Sequence, residues 1–152
     1  MALFTGTFEN KIDRKGRVSL PADFRVELPD GDDRLVYVYR SPKWPALEAC
    51  DKSFMQRLAD SLDRLNMFSD EEDDLSATLV ADARRITLDG EGRIILPSLF
   101  IEFTGLSDRA VFVGRGSRFQ IWQPAEFAGY STDARERARG RTVSLTQQDT
   151  GK

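Results

Sequence analysis

The chain has 152 residues, 40% of them hydrophobic and 31% charged, with a formal net charge of −3. It contains no histidine and a single cysteine, which excludes an intrachain disulfide and removes the most common general base and transition-metal ligand, so an enzyme is disfavoured and no cofactor or metal is expected. No run approaches the roughly 18 apolar residues of a membrane span, and the first residues lack the features of a signal peptide, which predicts a globular cytoplasmic protein.

The central feature of the chain is a pattern that occurs twice. The first copy spans residues 12–24 and the second spans residues 88–100. Aspartate, glycine, arginine, leucine–proline and phenylalanine recur at the same places in both. Two copies of one structural unit therefore account for much of the chain.

Alternating β-branched and aromatic residues predict strands in both halves, with turn residues between them. The predicted strands are 3–8, 11–20 and 34–39 in the first half, and 93–96, 110–113 and 119–122 in the second. In each copy a leucine–proline pair ends the central strand. Pro21 and Pro97 suit the first position of a short helix, because proline lacks the N–H group that would be unpaired there.

Two helices are predicted between the copies. Apolar residues at every third or fourth position predict an amphipathic helix with one buried face: Leu47, Cys50, Phe54, Leu58, Leu62 and Leu65. This spacing makes Cys50 a buried structural thiol on that helix. Ser69 and Glu72 have the spacing of a capping box, which predicts the start of a second helix.

Two charged segments flank the second half. Acidic residues 70–74 are interpreted as the first turn of the second helix, stabilised by the helix dipole, in preference to a metal site or a partner-binding segment. Apolar residues become sparse after Tyr130, so residues 131–152 are predicted to be a frayed helix or a disordered tail. The arginines of 135–141 would keep this tail soluble or add non-specific DNA affinity.

Each copy of the repeat contains an aspartate at the third position before a glycine. This spacing is typical of a type I turn followed by a left-handed glycine in a β-hairpin. Asp13 and Asp89 are expected to accept hydrogen bonds from turn amides, and Gly16 and Gly92 to take positive φ, so these four residues are interpreted as structural. The arginine that follows could pair with the aspartate or reach outward, and the sequence leaves both roles open.

The two turns differ in charge. The first carries four closely spaced cations, Lys11, Arg14, Lys15 and Arg17, whereas the second carries Asp89, Glu91 and only Arg93. An exposed basic hairpin suits contact with DNA phosphates, and arginine can donate two hydrogen bonds to a guanine edge. The alternative is a basic turn that only contacts solvent.

At these residues the chain resembles the MraZ family, whose two halves each look like an AbrB-type swapped-hairpin unit. The resemblance covers most of the chain, and its motifs occur in the family's order: Phe4-Thr-Gly6, 12–21 with Phe24-Arg25, Asp89 with Gly92-Arg93, Val113-Gly114 and Phe119-Gln-Ile-Trp122. Gln120 stands where the family usually has glutamate. The resemblance implies an α+β, mainly β fold, a pseudo-symmetric β-barrel built from the two half-domains with linker helices.

The resemblance also implies boundaries and a site. The expected division is a first half-domain at 1–50, a helical linker at 51–83, a second half-domain at 84–130 and a flexible tail at 131–152. The family's turn motif falls on Asp13 with Arg17 and on Asp89 with Arg93, and its DNA-contacting loop falls on Arg14, Lys15 and Arg17. The expected DNA-binding set is Lys11, Arg14, Lys15, Arg17 and Arg93.

The function implied by the resemblance is a transcriptional regulator, usually a repressor. Such a protein binds direct repeats of double-stranded DNA in the promoter of the division and cell-wall operon that contains its own gene. It forms a ring-shaped homo-oligomer associated with the nucleoid, with no membrane contact. The alternative is a structural or protein-binding assembly module that binds no DNA, because related barrels occur without nucleic acid and the acidic composition suits protein contacts.

Overall fold

The computed structural model describes residues 1–29 and 34–145. In this part of the chain the strands are β1 Thr7–Lys11, β2 Arg17–Ser19, β3 Leu35–Arg40, β4 Ala46–Cys50, β5 Arg84–Thr87, β6 Arg93–Ile95, β7 Arg109–Gly114 and β8 Phe119–Trp122. The helices are α1 Ala22–Arg25, α2 Lys52–Asp63, α3 Asp70–Leu75, α4 Ser98–Thr104 and α5 Pro124–Ala138. A π-helical turn, Ser76–Val80, continues α3.

Six strands form one antiparallel sheet in the order β1-β7-β8-β4-β3-β5, and β2 pairs with β6 in a second, two-stranded sheet. The fold is therefore mixed, with helices around a mainly β centre. Among the described residues these pairings leave β1 and β5 as edge strands, so they do not by themselves close a barrel.

Strands from the two halves of the chain pair with each other. β1 pairs with β7 from the second half, and β5 pairs with β3 from the first. In the small sheet Val18 lies opposite Ile94, its equivalent in the second copy of the repeat, with Arg17 opposite Ile95 and Ser19 opposite Arg93. The halves are thus interleaved.

The largest buried cluster takes residues from both halves. Phe24 and Phe100, the last residues of the two repeat copies, are both fully buried. The rings of Phe24 and Phe119 approach to 4.9 Å between centroids, and Phe4 packs edge-on against Phe119 at 5.0 Å. This single core holds the two sheets and the short helices α1 and α4 in place.

The longer helices cover one face of the large sheet, the face opposite the largest buried cluster. Met55 of α2 and Leu79 of the π-helical turn pack with Cys50. Elsewhere on the same face, Tyr130 of α5 stacks on Trp122, with ring centroids 4.8 Å apart. No helix within 1–29 or 34–145 has the length and apolar composition to span a membrane.

The prediction of a helix beginning at Leu47 was wrong. Leu47 and Cys50 lie on strand β4, and the helix begins only at Lys52, with Asp51 as its N-cap accepting a hydrogen bond from Phe54 N. Every residue of β4 is buried, so the strand shows no alternation of polar and apolar residues. The spacing of Leu47 and Cys50 therefore continued the apolar pattern of the following helix and was mistaken for part of it. Cys50 is buried as expected, and burial raises the pKa of its thiol to about 12.

Other predicted boundaries also shift. The first strand is β1 at Thr7–Lys11 rather than 3–8, the strand predicted at 11–20 is reduced to β2, and β5 was not predicted. Pro21 and Pro97 immediately precede α1 and α4 instead of beginning them.

The predicted N-cap at Ser69 is confirmed, but the backbone N–H of Ser69 donates to Asn66 O over 3.1 Å instead of to the Glu72 side chain that a full capping box requires. Ser69 Oγ accepts a hydrogen bond from Glu72 N over 3.2 Å, and the acidic residues begin α3. At the other end of the chain, residues 131–138 belong to α5, residues 139–145 form no helix or strand, and 146–152 lie outside the described residues. The division into half-domains, linker and tail stays a prediction.

Candidate nucleic-acid interface

The first repeat turn is organised around the carboxylate of Asp13. Its Oδ1 accepts hydrogen bonds from the backbone N–H groups of Lys15 and Arg17, each over 2.9 Å, and its Oδ2 accepts one from Arg17 Nε over 2.7 Å. These hydrogen bonds, led by the one from Arg17 N, hold the pKa of Asp13 below its usual value. Gly16 adopts φ +81°, so the predicted left-handed glycine is confirmed.

The second turn has the same geometry. Asp89 accepts from Glu91 N at 2.9 Å, Arg93 N at 3.0 Å and Arg93 Nε at 2.8 Å, and Gly92 adopts φ +77°. The hydrogen bond from Arg93 N is the main cause of a lowered pKa at Asp89. The bond to the Asp89 carboxylate raises the pKa of Arg93. Each turn is therefore fixed by its own aspartate.

Each turn is also held by the other half of the chain. Leu96 N donates to Gly16 O over 2.9 Å, and Leu20 N donates to Gly92 O over 3.0 Å. A Cβ atom on Gly16 would lie 2.8 Å from Leu96 O, closer than real contacts allow. Because β2 and β6 are antiparallel, the two turns lie at opposite ends of this small sheet, separated by more than the roughly 10 Å length of a three-residue strand.

Three of the predicted site residues are exposed to solvent. Lys11, Arg14 and Lys15 are exposed, and among the described residues none of their side chains forms a hydrogen bond or an ion pair. Their charges face solvent at the first turn, where a duplex could approach them. The turn backbone that carries Arg14 and Lys15 is fixed by Asp13, so their Cα positions are defined before any ligand binds.

The arginines that follow the turns are half-buried and ion-paired. Arg17 binds Asp13, and Arg93 binds Asp89 and lies 3.6 Å from the Glu91 carboxylate. The sequence left two roles open for these arginines, pairing with the aspartate or reaching outward. In the structure both arginines pair with the aspartate. That pairing uses Nε of Arg17, and its two terminal nitrogens form no hydrogen bond with the described residues.

The structure also shows two exposed cations that the sequence analysis did not single out. Arg84 and Arg85 begin the edge strand β5, which leads into the second turn. When the alignment of the two copies is extended towards the N-terminus, Arg85 occupies the place of Glu9. The adjacent arginines are visible in the sequence, but they fell at the junction between the predicted linker and the second half-domain, where no strand was predicted.

Comparison with known proteins gives consistent matches. A family model described as "MraZ protein, putative antitoxin-like" matches residues 3–65 and 79–146. Transcriptional regulator MraZ of Gluconacetobacter diazotrophicus is 44% identical over 151 residues, covering 97% of this chain and 94% of that protein. The protein of the same name from Gluconobacter oxydans is 42% identical over 147 residues, covering 95% and 90%.

A third relative, Transcriptional regulator MraZ of Parvibaculum lavamentivorans, is 39% identical over 141 residues, which cover 92% of this chain and 88% of that protein. The two segments of the family model contain both copies of the repeat. The likeness therefore extends through both turns and most of the sheet.

Proposed function

The chain belongs to the MraZ family, and from that premise we propose that it is a transcriptional regulator that binds double-stranded DNA through its first turn. The observation that carries this proposal is a set of exposed cations that have no partner among the described residues: Arg14 and Lys15 on a turn whose backbone is held by Asp13, and Lys11 at the end of the strand β1 that precedes it. Such side chains neutralise phosphates, and Arg14 has the donors to read a guanine in the major groove.

The second turn supports a division of roles. Its tip carries Gly90 and Glu91 in place of Arg14 and Lys15, and Glu91 lies near Arg93. A carboxylate at this place repels phosphates. The first turn therefore supplies most of the DNA affinity, while Arg17 and Arg93 act mainly by fixing the turns and add phosphate contacts through their free nitrogens.

One copy of the chain is expected to bind DNA weakly. A few cations neutralise only a few phosphates, and the net charge of −3 gives no general attraction to DNA. Tight binding follows when several turns on one oligomer contact repeated sites, because the second contact is then made at high effective concentration. We propose a ring-shaped homo-oligomer that binds direct repeats in the promoter of its own division and cell-wall operon, associates with the nucleoid in the cytoplasm, and represses transcription.

The proposed architecture is a pseudo-symmetric barrel of two AbrB-like halves. The pairing of Val18 with its equivalent Ile94 supports it, as do the reciprocal hydrogen bonds of Leu20 and Leu96 to the opposite turns. In this arrangement a local two-fold axis passes between the strands of the small sheet. The two turns are then presented in equivalent orientations.

Fluorescence anisotropy tests the proposal. Labelled promoter DNA with intact or scrambled repeats is titrated with the wild type and with Arg14→Ala/Lys15→Ala at salt concentrations from about 50 to 200 mM. We expect repeat-dependent binding that the double variant loses, with the salt slope reduced by about 0.9 for each lost phosphate contact. Lys52→Ala/Arg64→Ala removes the same charge from exposed positions at the ends of α2 and is the matched control.

Two results would reject DNA binding through the first turn. One is equal, weak binding to both DNAs, which would favour the assembly module. The other is an equal effect of the first-turn variant and the α2 control, which would assign the loss of affinity to net charge alone.

A further inference from the structure

A cavity of about 470 Å³ lies where the C-terminal part of α5 passes the β3–β4 and β7–β8 connections. Among the described residues that line it, four are cations, two are aromatic and none is acidic; the cations are Lys43, Arg115, Arg137 and Arg141. We call these lining residues the basic cavity. A site with this charge and no counter-ion among its described lining residues suits a ligand that brings negative charge with it.

The floor of the basic cavity is aromatic and ordered. Trp44 packs edge-on against Tyr130, with ring centroids 4.7 Å apart. Arg115 donates a hydrogen bond to the Tyr130 hydroxyl over 2.9 Å, and the Lys43 ammonium lies 5.2 Å from the Trp44 ring centroid. The cavity therefore offers an apolar surface and a cationic rim to whatever binds there.

The opposite combination occurs between α2 and α3. Met67 is 76% exposed and Phe68 is 91% exposed, and Phe68 adopts φ +68°, which is uncommon outside glycine. Consecutive acids follow in residues 70–74, and within the described residues none of them forms an ion pair. Residues 67–74 comprise the end of the α2–α3 connection and most of the short helix α3, and we call them the acidic loop.

The helix dipole explains acids in the first turn of α3, but it does not explain two large apolar side chains held in solvent beside them. None of the acidic-loop residues lines the basic cavity of the same chain. The two surfaces are therefore both available to a neighbouring molecule.

We propose that the acidic loop of one copy binds in the basic cavity of the next. Phe68 would contact the Trp44 and Tyr130 rings, and the acids would pair with the arginines of the rim. A second copy matches the cavity in both respects, apolar tip and negative charge, whereas the phosphate backbone of duplex DNA brings negative charge without an aromatic side chain to pack on Trp44 and Tyr130. The proposal rests on the homo-oligomer of the proposed function and specifies its interface.

The interface is head-to-tail, because two different surfaces meet. Each copy uses its loop once and its cavity once, and such contacts close into a ring when the rotation between copies divides a full turn. The basic turns of all copies then lie in equivalent positions around the ring.

Light scattering coupled to gel filtration tests the interface on the full chain. Arg137→Glu/Arg141→Glu reverses the charge of the cavity rim, and Asp73→Arg/Asp74→Arg reverses charges of the acidic loop. We expect each variant alone to fall towards the mass of a single chain, and an equimolar mixture to recover the large assembly, because each reversed surface then meets its opposite charge. Arg135→Glu/Arg139→Glu changes the same helix end outside the cavity and should keep the wild-type mass.

Phe68→Ala leaves the charges in place and should weaken association by at least about tenfold, as expected for a buried aromatic anchor. Far-UV circular dichroism verifies that each variant is folded. A wild-type mass in both charge-reversed variants overturns the proposal, and so does a mixture of the two that does not reassemble.

Anisotropy with promoter DNA, measured on the same samples, separates this inference from the proposed function. Loss of DNA binding in the rim variant at unchanged mass would assign the cavity to DNA and overturn the interface. Failure of Arg14→Ala/Lys15→Ala to weaken DNA binding, with the interface behaving as expected, would reject the DNA site and leave the interface standing.

Discussion

Gln120 Nε2 donates a hydrogen bond to Glu48 Oε2 over 2.8 Å, and both side chains are buried. The two residues lie opposite each other where β4 pairs with β8, at the centre of the large sheet. Arg118 Nε binds the other oxygen of the Glu48 carboxylate at 2.9 Å, and Trp122 Nε1 donates to Gln120 Oε1 at 2.9 Å. A neutral amide beside the carboxylate thus satisfies every buried polar atom there.

Gln120→Glu should destabilise the protein in a pH-dependent way. The substitution places a second carboxyl group against Glu48, so the two groups repel each other when both are ionised. The loss is smallest in acid, where the carboxyl groups are protonated, and grows to about 1–3 kcal/mol as the pH rises and both groups ionise. Urea denaturation between pH 4 and pH 7 measures it.

The swapped double variant Glu48→Gln/Gln120→Glu restores one amide and one carboxylate. It should recover much of the lost stability at pH 7, because the repulsion is gone. If the double variant were as unstable as Gln120→Glu alone, charge repulsion would not be the cause.

Gly16→Ala should lower the free energy of unfolding by about 1–3 kcal/mol. The residue adopts φ +81°, and its new Cβ would meet Leu96 O. Gly90→Ala is the control, since no atom lies within 4 Å of the added Cβ, and it should change stability by less than about 0.5 kcal/mol. Equal effects of the two substitutions in chemical denaturation would contradict the role of the positive φ.

Acid should weaken both turns at once. The pKa values of Asp13 and Asp89 are lowered in the folded chain by hydrogen bonds from the turn. Their contribution to stability is therefore complete above the unfolded-state pKa, near 3.9, and is lost as the pH falls through the lower folded-state values. Asp13→Asn/Asp89→Asn should be less stable at pH 7 and lose less stability on acidification, which denaturation curves at pH 7 and pH 3 compare.

Gly90→Arg/Glu91→Lys gives the second turn the same two residues that Arg14 and Lys15 supply at the tip of the first turn. Open space surrounds Gly90, so the larger side chain fits. If both turns face the duplex, this variant should bind DNA more tightly and with a salt slope steeper by about 1–2. Unchanged affinity and slope in anisotropy titrations would show that the second turn points away from the DNA.

Local signals in the sequence predicted the turns well and β4 poorly. The Asp-x-x-Gly spacing specifies hydrogen bonds between near neighbours in the chain, and both turns have the predicted geometry. Strand β4 lies between β3 and β8 in the sheet, and both of its faces are buried. This burial depends on residues distant in the chain, so no periodicity within 46–50 could predict it.

The candidate site was predictable in its location and not in its internal pairing. The charge contrast between the turns identified Arg14 and Lys15, which the structure leaves exposed. The sequence could not decide whether Arg17 pairs with Asp13, because a long side chain at that spacing can take either direction. It also could not reveal the basic cavity, whose lining comes from three separate segments of the chain.

The reciprocal hydrogen bonds of Leu20 and Leu96 have a kinetic consequence. Neither turn acquires its full set of contacts until residues from opposite halves of the chain have met, so a long loop must close before either hairpin is stabilised. Contacts of this range slow folding compared with a chain of two independent hairpins. A nascent first half leaves the ribosome with one turn unsupported, and it becomes native only when the second half has been synthesised.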